Sequence, residues 1–176
     1  MRFFRKKPVR LEEKPDFRFY PTAYDNGGPL VASLDKCDCC RNRCVWKYTG
    51  NIYAQGEAIV CAGCIAAGNL NTLFAKGYSL HDIELESDVE QNVGDELFDL
   101  TPGVACFNPF EWPVANRMPL AFIGYGETLK ECEEATKATE AAFAKIGWPD
   151  EKGPSNYALL FRPITGGPMR AVIDLD

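Results

Sequence analysis

Two cysteine pairs constrain this chain more than any other feature: Cys37-Asp38-Cys39-Cys40 and Cys61-Ala62-Gly63-Cys64, with twenty residues between Cys40 and Cys61. A gap of two residues lets both sulfurs of a pair reach one ion from a tight turn, whose backbone N–H groups stabilise the thiolate charge. The interval between the pairs falls in the range of a paired-cysteine zinc site. Cys37, Cys40, Cys61 and Cys64 are therefore the expected ligands of one structural Zn2+. Four thiolates leave no open coordination position, so such an ion stabilises folding and does not activate water. Cys39 and Cys44 are alternative ligands, and a four-thiolate site also suits an iron–sulfur cluster. Zinc is preferred because the pairs bracket a hairpin and no redox-partner motif accompanies them. Burial of the same cysteines as small apolar groups is the competing structural reading.

The chain has eight cysteines in all, which in a secreted protein would suggest disulfides. Met1 to Arg10 lacks the apolar segment of a secretory signal, and no run approaches the roughly 18–20 apolar residues of a membrane span. The expectation is a soluble, cytoplasmic protein with reduced thiols. At 176 residues and 46% apolar, it can bury one core and is too short for two large domains.

Local patterns suggest an α+β fold. Val45 to Thr49 is β-branched and aromatic and reads as a strand, followed by a Gly50-Asn51 turn and Ile52-Tyr53, which predicts a hairpin between the cysteine pairs. Leu30 to Leu34 is a further pairing segment, and Phe17 to Tyr20 reads as a short strand entering a Pro/Gly loop. Ile65 to Gly68 reads as a short helix ended by glycine, and Asn71 to Ala75 as helix or turn. Phe107 to Pro119 reads as a loop-like, core-lining aromatic cluster. Glu127 to Ile146 is the clearest helix, with an apolar stripe of Leu129, Cys132, Ala135, Phe143 and Ile146. Asn156 to Phe161 and Ala171 to Leu175 read as closing strands. The predicted architecture is a single domain over 17–176, carrying a four-cysteine zinc knuckle of treble-clef or ribbon type at about 30–75. Its hairpin packs on a small sheet beside a long helix in the C-terminal half.

Charge is unevenly spread. Residues 1–18 carry seven Lys/Arg against three acids, so from a total of −6 the remainder sums to about −10. Residues 1–16 read as a basic, flexible arm. Residues 80–100 hold eight carboxylates and no Lys or Arg. Asp82, Glu84, Glu86, Asp88 and Glu90 are the candidate partner-binding residues, because a dense negative patch steers association with a basic protein and repels nucleic acid. The only histidine, His81, reads as a surface or capping residue. No phosphate-binding glycine loop or nucleophile-elbow serine is present, and no catalytic residue is assigned.

The segments Phe17-Arg18-Phe19-Tyr20-Pro21, Cys37-x-Cys39-Cys40, Ile52-Tyr53, Cys61-x-x-Cys64-Ile65-Ala66-x-Gly68, Thr101-Pro102-Gly103, Ala121-Phe122-x-Gly124 and Tyr157-x-Leu159-x-Phe161-Arg162 resemble the CbrC-like family of small bacterial proteins. The resemblance runs over about residues 17–176 and implies a metal-binding protein associated with tolerance to a colicin. It departs at Pro163 to Gly167, where the family has a Cys-x-x-Cys-Gly segment, and at Val104 to Met118, so one zinc is the expected count. The resulting expectation is a non-enzymatic, zinc-stabilised immunity or tolerance protein that occludes a basic toxin domain, for example a nuclease. A hydrolase using a divalent cation on the 82–99 carboxylates, or a nucleic-acid-associated zinc protein using the basic arm, are the alternatives.

Overall fold

Fifteen glycines and twelve prolines interrupt the chain often enough that no strand exceeds five residues among the described ones. A computed structural model describes residues 14–175, so the expected basic arm lies outside them except for its last three residues. The chain lays down β1 (Leu30–Ala32), β2 (Trp46–Tyr48), β3 (Tyr53–Ala54), α1 (Ala62–Ala66), β4 (Tyr78–Ser79), β5 (Ile83–Leu85) and α2 (Gln91–Leu100). It continues with β6 (Phe110–Trp112), β7 (Val114–Ala115), β8 (Met118–Pro119), β9 (Ala121–Tyr125), α3 (Glu133–Lys145), β10 (Ala158–Arg162) and β11 (Arg170–Ile173). The architecture is mixed α and β, with small sheets and, among the described residues, three α-helices.

The largest sheet is β11-β10-β9, antiparallel throughout. Its central strand β10 is apolar and buried on both faces from Ala158 to Phe161, as a strand covered on two sides must be. One cover is α3, which buries Ala135, Thr139, Ala142 and Phe143 against β10 and β11. The other is an aromatic core of Phe19, Trp112, Phe122 and Phe161, all fully buried. Trp112 and Phe161 meet edge to face at 5.1 Å, Phe122 and Phe161 at 5.4 Å, and Trp112 donates its indole N–H to Leu120 O at 2.8 Å.

Several local expectations change once long-range partners are present. The hairpin between the cysteine pairs does not form: β2 pairs instead with β1, and β3 pairs with β4. Across the expected turn the Tyr48 hydroxyl donates to Asn51 O at 3.0 Å and receives Gly103 N–H at 3.2 Å, a long-range partner that a local hairpin does not supply. Phe17 to Tyr20 is a turn, with Tyr20 N–H on Phe17 O, and it reaches the sheet through Phe122 N–H to Phe19 O at 2.8 Å. Phe107 to Pro119 is not a loop: it contains β6, β7 and β8, with β6 running parallel to β5, while Phe107 itself is 65% exposed. The helix expected over Glu127 to Ile146 is shorter: a 3-10 turn at Glu127–Leu129 precedes α3, which starts after Cys132, and Ile146 lies outside it, exposed. Helix α2 carries part of the acidic segment, where sequence patterning alone assigned no element.

Gly103 sits where two chains cross: a Cβ there would lie 1.7 Å from Leu80 O. Gly103→Ala is therefore expected to destabilise the protein by about 3 kcal/mol or more in urea unfolding. Gly56, with open space around its Cβ position but a φ of 97°, should lose only about 1 kcal/mol on the same change.

Candidate metal centre

Each cysteine pair is set by its own short element. Cys37 opens a tight turn in which Arg41 N–H bonds Cys37 O and Cys37 N–H bonds Asn42 O, with Arg41 in the left-handed region at φ 63°. Cys61 stands at the N-cap of α1 and Cys64 lies inside that helix. Strand β2 brings the two together, through Tyr48 N–H on Val60 O and an isolated bridge between Lys47 and Cys61. Asp38 adds a clamp that sequence reading passed over: its N–H bonds Ile59 O while its carboxylate accepts Ile59 N–H, both at 2.8 Å. An aspartate just inside a turn is a recognisable side-chain-to-backbone signal.

The Sγ atoms of Cys37, Cys40, Cys61 and Cys64 all lie within 4.8 Å of one another, and this is the one such donor group among the described residues. Cys37 and Cys64 sulfurs are 3.8 Å apart, Cys40 and Cys61 sulfurs 3.9 Å. A tetrahedron with metal–sulfur arms of about 2.3 Å has edges of about 3.8 Å, whereas a disulfide requires about 2.05 Å. The donor set therefore fits a single ion such as zinc, and is more compact than thiolates spread around an iron–sulfur cluster. Cys37, Cys61 and Cys64 are buried and Cys40 is partly so. The neighbouring Cys61 and Cys64 sulfurs, and the Cys40 and Cys61 backbone N–H groups, hold Cys37 well below the usual thiol range. Cys64, beside Cys37 and Cys61, is pushed up. A cation at the centre would reverse that competition and ionise all four.

Neither alternative cysteine joins the group. Cys39 turns its thiol to Asn69 O at 3.2 Å and to Thr72 Oγ1. Cys44 is buried beside the cluster, and burial followed by the charges of Cys37 and Cys40 pushes it up to about 12, so it remains a neutral thiol. Cys106 and Cys132 are partly buried, free, and remote from this group.

The acidic residues do not behave alike. Asp82, Glu84, Asp88 and Glu90 are exposed and make no ion pair among the described residues, and Glu84 lies in register with Glu111 across the parallel β5–β6 pair. Glu86 is committed elsewhere: Arg170 grips it with two N–H groups at 2.7 and 2.9 Å, and Val114 N–H adds a third bond at 3.0 Å. Arg170 accordingly holds the Glu86 carboxyl down to about 2. No three carboxylates of the segment converge as a cation site requires. Among the described residues no helix is long and apolar enough to cross a membrane.

His81 is the clearest reversal of expectation. It is 6% exposed, with its ring edge to face on Phe98 and Trp112 and Nε2 at 3.0 Å from Thr101 O. Burial lowers its pKa from 6.5 to about 4, so it is neutral at physiological pH. Only the fold could reveal this, because the residues that bury it are distant in sequence. The unfolded chain takes up the proton near pH 6.5 and the folded chain only near 4, so the stability His81 contributes above pH 6.5 is lost as pH falls towards 4. The expected loss is about 3 kcal/mol, and His81→Phe should flatten that part of a urea-unfolding series against pH.

Comparison with known proteins places the chain among relatives without assigning it an activity. The model of the uncharacterised protein family UPF0167 matches residues 14–161. A protein named UPF0167 from Mycobacterium bovis is 27% identical over 145 residues, covering 80% of this chain and 77% of its own length; a relative from Mycobacterium tuberculosis has the same figures. A UPF0167 protein of Pseudomonas aeruginosa is 26% identical over 138 residues, covering 77% of this chain and 76% of its own. No solved structure matches. These findings overturn the CbrC-like resemblance: the matching family and the relatives carry the UPF0167 name, and none is named for colicin tolerance.

Proposed function

Since the chain belongs to UPF0167, a family that supplies no activity to inherit, we propose from its own residues a zinc-stabilised protein-binding module whose acidic face engages a basic protein. The observation that carries the first half is the group of four sulfurs within 4.8 Å, drawn from the Cys37 turn and the start of α1. Zinc fits best, because four thiolates in a mononuclear tetrahedral arrangement suit an ion without redox or geometric demands of its own. Its role is to hold the Cys37 turn against α1 across a region whose strands are two or three residues long.

Asp82, Glu84, Asp88 and Glu90 support the second half. They lie exposed and unpaired in a stretch with no Lys or Arg, so their mutual repulsion is relieved only by solvent, salt or a basic partner. Glu86 drops out of the binding set because Arg170 already satisfies it. The toxin identity rested on the family name that has fallen, so the partner is specified by its charge alone. A hydrolytic reading lacks converging carboxylates, which leaves binding as the better account of the same residues.

Purified protein should contain one equivalent of zinc, and strong chelator should lower its melting temperature by on the order of 10 °C or more. Cobalt exchange should give the charge-transfer and visible bands of a four-thiolate site in Cys39→Ser and lose them in Cys37→Ser. Substoichiometric metal together with chelator-insensitive melting would sink the zinc reading.

For the partner, affinity capture from the native cells at low and high salt should yield a basic protein released by salt. Glu84→Gln, Asp88→Asn and Glu90→Gln combined should then weaken the purified complex by roughly tenfold or more, chiefly through the association rate. A partner whose affinity ignores both salt and these three changes would move the binding surface elsewhere.

A further inference from the structure

A cavity of about 240 Å³ lies between the Tyr20–Gly28 loop and the end of β9, far in character from the cysteine cluster. Its walls combine an apolar side, Ile123 and Leu129, with two tyrosines, Tyr20 and Tyr125, and a polar side that includes Thr22 and Asp25. The backbone is shaped around it: Gly28 approaches Ala23 so closely that a Cβ would fall 2.4 Å from Ala23 O, and a Cβ on Gly124 would meet Thr128 Oγ1 at 3.1 Å. Any side chain at those glycines would displace its neighbours.

The polar groups here are unsatisfied. Tyr20 is 3% exposed, its ring is fixed edge to face on Phe122 at 4.9 Å, and its hydroxyl has no hydrogen-bond partner among the described residues. Thr22 Oγ1 is buried and likewise unpartnered. A buried hydroxyl left in the state of Thr22 Oγ1 costs free energy unless water or a ligand pairs with it. Tyr125 is different: its hydroxyl donates to Ala105 O at 2.9 Å and its N–H bonds Thr128 Oγ1, so its ring is held in place as a wall. Among the described residues Asp25 is the only charged one lining the cavity, and no basic residue does. Its carboxylate makes no ion pair among the described residues, yet its charge reaches Tyr20, whose hydroxyl is pushed up mainly by burial and further by Tyr125, Tyr48 and Asp25.

We propose that this cavity is a binding site for a small organic cation, an ammonium-bearing molecule whose charge lies against Asp25 and the faces of Tyr20 and Tyr125 while a hydroxyl or amine pairs with the free Tyr20 and Thr22 oxygens. Aromatic faces beside one carboxylate attract a cation, and a desolvated ammonium gains more from them than an exposed one. An anion would meet the Asp25 charge with no basic side chain among the described residues to offset it. A volume of about 240 Å³ has room for a molecule of choline size.

The test is an amide-resonance titration of the full-length, metal-loaded protein with choline, ethanolamine and tetramethylammonium, set against 3,3-dimethylbutan-1-ol as the uncharged counterpart of choline. Saturable shifts should be centred on Gly27, Gly28, Gly124 and Thr128, and the neutral alcohol should bind much more weakly. Asp25→Asn, at an exposed position whose hydrogen bonds among the described residues are all made by its backbone, should leave the remaining spectrum intact and weaken choline by roughly tenfold. Tyr20→Phe should weaken ethanolamine more than tetramethylammonium, which has no hydrogen to share. Four results would overturn the proposal: no saturable shift with any of the three cations, equal affinity for the alcohol, an Asp25→Asn affinity equal to wild type, or shifts centred on Glu84 to Glu90 instead of the cavity.

Discussion

Four sulfurs confined within 4.8 Å set the problem that the N-terminal half of this protein has to solve. Left without a cation they share protons unevenly, Cys37 driven towards the thiolate by its neighbours while Cys64 is driven away from it. With a metal ion the same crowding becomes cohesive, because each thiolate is drawn to one charge. The turn at Cys37, the bridge from Lys47 to Cys61 and the paired bonds between Asp38 and Ile59 all serve to bring the sulfurs to this spacing. Their strands are too short to hold the arrangement by hydrogen bonding alone.

The C-terminal half solves a different problem by different means. Its β10 strand is buried on both faces, between α3 and a set of aromatic rings, so apolar burial carries the stability there. Some of the contacts that join the two halves tolerate little change. Tyr48 reaches from the metal module to the Gly103 backbone, Leu80 O crosses Gly103 with no room for a Cβ, and His81 lies neutral between Trp112 and Phe98. Loosening of one half should therefore be felt in the other along this seam.

Charge is organised on the same plan. Glu86 and Arg170 tie the end of β5 to β11, turning one member of the acidic segment into structural glue, while its neighbours face solvent unpaired. A bidentate, three-bonded carboxylate differs physically from an unpaired one even two residues away, because its field is already neutralised. The cavity beside Tyr20 has the converse property: among the described residues it is lined by one carboxylate, the unpaired Thr22 hydroxyl and no basic side chain.

Short-range chemistry was legible in the sequence. The cysteine spacing named the four sulfurs that meet, Gly68 marked the end of α1, and the apolar runs near Trp46, Leu159 and Val172 located β2, β10 and β11, because each depends on residues within a turn or a strand of one another. What the tertiary structure decided was partnership. The choice of β1 over a local hairpin for β2, the parallel pairing of β5 with β6, the burial of His81, the capture of Glu86 by Arg170 and the cavity at Tyr20 all join residues far apart in the chain. Local propensity carries no record of such contacts; they are selected by which apolar surfaces can be buried together and which polar groups then remain to be paired.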